Sequence, residues 1–154
     1  MSKVTVGKKV PDFAVPTTAG GFRLKDARGG KLVVYFYPRD NTPGCTREGS
    51  DFRELHPRFT KAGTTILGIS TDSLASHEKF IAKMGFPFAL GSDEDHAVAE
   101  LFGAWKEKNM YGRKVMGVER STFLIDAEGV LREEWRKVKV DGHAEAVLAA
   151  ASKA

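Results

Sequence analysis

Lys31-Leu32-Val33-Val34-Tyr35-Phe36-Tyr37-Pro38-Arg39-Asp40-Asn41-Thr42-Pro43-Gly44-Cys45 is the stretch on which the fold turns. Leu32 to Tyr37 is apolar without interruption, which leaves no polar face and marks a strand buried on both sides at the centre of a sheet. Residues 38–44 then collect the types that break regular structure. Thr42-Pro43 joins a favoured N-cap to a favoured first helical residue, so a helix starts near Cys45, with Phe52, Leu55, Phe59 and Ala62 at helical spacing. Pro57 is expected to kink that helix or end it early.

Outward from this unit, residues 11–24 read as a short hairpin around Gly20-Gly21, and residues 64–70 as a second buried strand. Residues 73–84 form a helix with Phe80, Ile81 and Met84 inward, and residues 97–102 a shorter one. Residues 121–126 and 130–135 pair as a hairpin across Ala127-Glu128-Gly129, and residues 142–151 make an Ala-rich last helix. Strands alternating with helices, then an antiparallel hairpin and a helix, predict one α/β domain over residues 1–154. Its expected form is a three-layer α/β/α sandwich with a mixed central sheet and thioredoxin-like topology.

With 42% hydrophobic and 29% charged residues the chain is too apolar for disorder. The formal charge of +4 is small, and its basic residues gather only at Lys106/Lys108 and Arg136/Lys137/Lys139. No recognition helix, zinc finger or RNP aromatic stands beside them, so a solvated face is expected rather than a nucleic-acid site. Residues 1–10 lack a signal-peptide apolar core, and no apolar run approaches the roughly 18 residues of a membrane span. The one cysteine cannot form an internal disulfide, which suits a cytoplasmic location. Neither metal nor cofactor is implied. Asp93-Glu94-Asp95-His96 reads as a helix-capping turn, Gly20-Gly21 and Gly29-Gly30 as turn residues, and Trp105 and Trp135 as packing residues.

The chemistry therefore centres on Cys45. In the first turn of a helix, backbone N–H groups point outward unpaired and favour a thiolate. A helix terminus supplies only ~0.3–1 kcal/mol, so a cation is needed as well. An arginine serves better than a lysine because its rigid fork reaches sulfur and an incoming oxygen together. Arg120, flanking the strand over residues 121–126, is the candidate. A cysteine-histidine hydrolase would need His56, His77, His96 or His143 beside the thiol, and no local signature supports any of them. The Cys-x-x-Cys of a disulfide oxidoreductase is absent, because Thr42 and Glu48 stand at the two flanking positions. A protein that uses an oxidisable thiol to switch partners is the remaining alternative.

The pattern Pro38-x-x-x-Thr42-x-x-Cys45, with Arg120 in Glu119-Arg120-Ser121-Thr122-Phe123-Leu124-Ile125-Asp126, resembles the active site of the peroxiredoxins. The longer words 36–46 and 106–112 resemble the bacterioferritin comigratory protein, or peroxiredoxin Q, subfamily. The resemblance implies that Cys45 attacks hydrogen peroxide or an organic hydroperoxide and becomes a sulfenic acid. It further implies that Pro38 shields the sulfur, that the Thr42 hydroxyl bonds thiolate and peroxide, and that Arg120 stabilises the charges. Glu48, one turn beyond Cys45, is carried over as a residue that orients an arginine, or else is an ordinary first-turn acid. Where the subfamily often has a resolving cysteine, this chain has Ser50 and Ile81. An external thiol reductant such as thioredoxin, or glutathione with glutaredoxin, is then required, and the subfamily resemblance suggests a monomer that can link through Cys45 on oxidation.

Overall fold

The structure, a computed structural model, describes residues 2–154. In chain order it contains β1 (Ala14–Thr17), β2 (Gly20–Arg23), a 3-10 turn (Leu24–Ala27), β3 (Lys31–Phe36), α1 (Pro43–Lys61), β4 (Thr64–Ser70), α2 (Leu74–Met84) and β5 (Ala89–Ser92). Then come α3 (Ala97–Leu101), β6 (Trp105–Met110), β7 (Arg113–Val118), β8 (Ser121–Ile125), β9 (Leu131–Trp135) and α4 (His143–Lys153). Seven strands form one sheet in the order β2-β1-β5-β4-β3-β8-β9, while β6 and β7 pair with each other as a separate hairpin. β3, β4 and β5 run parallel and the remaining pairings are antiparallel, so the sheet is mixed.

The alternation of side chains along β3 divides the interior. Leu32, Val34 and Phe36 enter one core cluster, and Val33, Tyr35 and the adjoining Tyr37 enter the other. Phe52 and Phe59 of α1, Phe80 of α2, and Val147, Leu148 and Ala151 of α4 fill the second cluster. The first is closed by Val98 and Ala99 of α3, by Phe102 just beyond it, and by Val4, Val10 and Phe13 of the N-terminal segment. The α/β/α order is therefore present with unequal outer layers, three helices on one face and α3 with extended chain on the other.

Three expectations need correction. β4, not β3, lies in the middle of the sheet, because β5 adds to its far side and carries β1 and β2 with it. Pro57 does not end α1, which runs on to Lys61. The ring is exposed, and the fully buried Phe52 and Phe59 anchor the helix on either side of the hydrogen bond it removes. The first hairpin turns at Thr18-Ala19, with Thr17 paired to Gly20, and Gly20 at φ +101° begins the return strand.

Candidate active site

β3 delivers the chain into the loop that sets the site. Tyr37 still bonds to the sheet through its N–H on the Ile69 carbonyl at 3.1 Å. Its hydroxyl, buried, donates to Asp40 Oδ1 at 2.6 Å. Asn41 takes a left-handed conformation (φ 60°), which an asparagine adopts more readily than most residues, and so turns the chain back toward α1. Thr42 is the N-cap residue and Pro43 opens the helix. Thr42 does not cap with its side chain, contrary to expectation: its hydroxyl donates to the Arg39 carbonyl at 2.9 Å and so closes the loop on itself. Pro38 is half-buried at the start of this loop.

Cys45 thus sits in the first turn of α1 with 2% of its surface exposed. Arg120, in the link between β7 and β8, brings its guanidinium over that turn. Nη2 donates to Cys45 Sγ at 3.3 Å and Nη1 to Glu48 Oε1 at 2.6 Å. Cys45 and Glu48 are three residues apart on one helix and face the same way, so one fork reaches both. Gly44 makes room for it, since a Cβ there would stand 3.1 Å from Arg120 Nη2. Among the described residues Arg120 is the one hydrogen-bond partner of Sγ, and no histidine reaches it. Glu48 is 1% exposed, and burial pushes its carboxyl up to about 7 against the pull of Arg120. Its Oε2 has no partner. Glu48 is thus buried against the arginine rather than solvated at the helix end.

Two further groups surround this centre. The half-buried Lys108 of β6 is held below the usual lysine range by burial and by the Arg120 charge, with Cys45 acting in the opposite sense. Of the solvated face expected at Lys106/Lys108, Lys106 is exposed and Lys108 is half-buried. Beneath the next strand, His143 shares a 2.7 Å hydrogen bond with the Thr122 hydroxyl and is lowered to about 4 by burial and by Arg120, so it is neutral.

A second polar cluster lies on the other flank of the loop. His77 Nδ1 is 2.7 Å from Asp40 Oδ2, and Ser76 Oγ donates to the same oxygen at 2.7 Å. Asp72 Oδ2 accepts the Asp40 N–H at 2.8 Å and the Ser70 hydroxyl at 2.6 Å. Asp40, Asp72 and His77 have ligand atoms within 4.8 Å of one another, the spacing of a metal site, but these hydrogen bonds already engage them. The acidic turn before α3 does what its sequence suggests, with Asp93 accepting the N–H groups of Val98 and Ala99 at 3.1 and 2.8 Å. Sequence reasoning weighed His77 only as a base for Cys45 and did not place it beside the loop, although with Phe80, Ile81 and Met84 it completes the inward stripe of α2.

No helix among the described residues is long and apolar enough to cross a membrane. The AhpC/TSA family model matches residues 6–134. Peroxiredoxin Bcp of Xanthomonas campestris is 59% identical over 141 residues, 90% of this chain and 88% of that relative. Peroxiredoxin Bcp of Bacillus subtilis is 48% identical over 141 residues, 91% and 90% of the two chains. Among solved structures, Xanthomonas campestris peroxiredoxin Q aligns with a TM-score of 0.90 at 51% identity, over 96% of this chain and 97% of that one. A structure of the bacterioferritin comigratory protein of the same organism, described in connection with its alkyl peroxide reduction, aligns with a TM-score of 0.90 at 50% identity over 97% and 98%. With a match over nearly its whole length, the chain belongs to the AhpC/TSA family, among the peroxiredoxins of Bcp and peroxiredoxin Q type.

Proposed function

We propose that this protein is a thiol-dependent peroxidase that reduces hydrogen peroxide and organic hydroperoxides at Cys45 by a one-cysteine mechanism. The observation that carries the reading is the Arg120 guanidinium shared between Cys45 Sγ and the buried Glu48. The Cys45 thiolate attacks the terminal peroxide oxygen, an S–O bond forms as the O–O bond breaks, and the departing oxygen leaves as water or alcohol after taking a proton. Arg120 faces the sulfur that starts negative and lies where the charge on the departing oxygen develops, so its stabilisation grows along the reaction. Thr42 and Pro38 line the same loop, Thr42 as a hydrogen-bonding group for the peroxide and Pro38 as a shield against water.

The product is a Cys45 sulfenic acid. No second cysteine exists in the chain to condense with it. An external thiol therefore displaces water to give a mixed disulfide, and a second thiol releases Cys45 and a disulfide. Thioredoxin, or glutathione with glutaredoxin, has the chemistry required. Cys45, Arg120 and Glu48 come from one chain, so a monomer suffices, and a lone reduced thiol suits the cytoplasm. The relative's alkyl peroxide reduction supports extending the substrate class to organic hydroperoxides.

Stopped-flow peroxide consumption tests this, first without reductant and then with excess dithiothreitol. Fast loss of one equivalent alone, many turnovers with dithiothreitol and none in Cys45→Ser are expected. Slow consumption that is equal in both proteins would refute it.

A further inference from the structure

We propose that His77 is a positioning residue of the peroxidase site, whose hydrogen bond to Asp40 latches the Cys45 loop closed and thereby favours peroxide attack over access by the reductant. The inference rests on the peroxidase reading above and adds a control element to it.

The hold on His77 is set by its neighbours. The side chain is fully buried, and its Nε2 lies 2.9 Å from the Gly91 carbonyl of β5, a group that only accepts. Its Nδ1 lies 2.7 Å from Asp40 Oδ2. Burial pushes the Asp40 carboxyl up, but hydrogen bonds from His77, Tyr37 and Ser76 outweigh it and hold it below the usual aspartate range, so this oxygen accepts too. Both ring nitrogens thus lie within hydrogen-bond distance of an oxygen on another element, which fixes the ring between β5 and the loop. The other titratable groups at this position are Tyr37, whose hydroxyl is 3.3 Å from Nδ1, and Asp72, bonded to the Asp40 backbone. The Tyr37 phenol is raised well above its ordinary value by burial and neighbouring groups and stays neutral.

The latch joins the loop to α2. Asp40 is gripped by His77, Ser76 and Asp72, and the next residue, Asn41, accepts from Lys83 at 2.7 Å. Four residues on, Cys45 is 2% exposed. With the loop closed, a small peroxide has the Arg120 fork ready, while the nearly buried sulfur leaves little room for a bulkier thiol. Reduction of the sulfenic acid therefore requires the loop and the first turn of α1 to move away from α2, against these hydrogen bonds. In a chain with no internal thiol, the strength of the latch sets how long the sulfenic acid waits.

The experiment is His77→Leu, which removes both ring-nitrogen hydrogen bonds at similar volume, with Asp40→Asn as the reciprocal variant. Rates of oxidation by hydrogen peroxide and of sulfenate reduction by dithiothreitol are measured separately. Slower oxidation by about tenfold, as for loss of a preorganised geometry, together with faster reduction is expected in both variants. Rates unchanged from wild type, or both rates falling together, would overturn the latch while leaving the peroxidase reading in place. An inactive wild-type protein would overturn the peroxidase reading itself. Should either variant fail to fold, Ser76→Ala, which removes a single hydrogen bond to Asp40, decides: a smaller shift of the two rates in the same opposite directions is expected, and unchanged rates refute the latch.

Discussion

Glu48→Gln is the sharpest test of how the site is held together. The side chain is 1% exposed and bonded to Arg120 at 2.6 Å, and glutamine preserves its shape and an acceptor oxygen while removing its charge. Burial carries the carboxyl from 4.5 up to about 7. A carboxyl raised on folding binds its proton more tightly in the native state. The stability it confers is complete below pH 4.5 and is lost as pH rises through 7, by about 3 kcal/mol in all. The buried His143 works in the opposite sense: lowered from 6.5 to about 4, it confers stability above 6.5 that is lost as pH falls through 4. In the wild type the two slopes oppose each other across overlapping windows. In Glu48→Gln the His143 slope stands alone, so the variant gains stability relative to wild type between pH 4.5 and pH 8, by an amount approaching that figure. Urea unfolding at half-unit pH steps, followed by the fluorescence of Trp105 and Trp135, measures the difference. Oxidation rates provide an independent reading, because the part of the wild-type pH profile that arises from Glu48, centred near 7, is absent from the variant. Parallel stability curves and superimposable rate profiles would show that Glu48 does not titrate there.

Arg120→Lys retains the charge but loses the fork that spans Glu48 and Cys45, so peroxide oxidation falls by ~10²–10³, the usual cost of one transition-state donor; single-turnover kinetics reads it, and a loss below threefold counts against the shared-fork geometry. Gly44→Ala places a methyl 3.1 Å from Arg120 Nη2, whose tethers at both ends resist displacement, and is expected to slow oxidation by roughly tenfold with little change in unfolding midpoint. Because no internal thiol removes the sulfenic acid, excess peroxide without reductant drives Cys45 on to sulfinic acid, seen by mass spectrometry as a gain of two oxygens and suppressed by dithiothreitol present from the start.

The parts of this molecule that were legible in its sequence are those set by local pattern. The uninterrupted run from Leu32 to Tyr37 announced a strand with both faces covered, and Thr42-Pro43 announced the helix start that lifts Cys45 into its place. β5 escaped notice because Ala-Leu-Gly-Ser is short, lacks alternation and is a strand only through its pairing with β4 and β1. The β6–β7 hairpin escaped because it is mostly exposed and its apolar residues, among them Trp105, Met110, Val115 and Met116, do not alternate along one face. At the site the same division holds. Pairing between Arg120 and Cys45 spans 75 residues and was inferred from what a thiolate needs, whereas the bond from Thr42 to the Arg39 carbonyl, only three residues apart, was missed. Sequence distance is thus a poor guide to which contacts can be foreseen. Chemical demand is the better one: a reactive sulfur needs a cation, and few arginines sit where a strand could present one. The hydroxyl of a loop threonine has several acceptors within reach, and the backbone path alone selects among them. His77 belongs to the second kind. Its inward position was visible on the helix wheel, but its partners lie on a loop and a strand that only the folded chain brings to the two ring nitrogens.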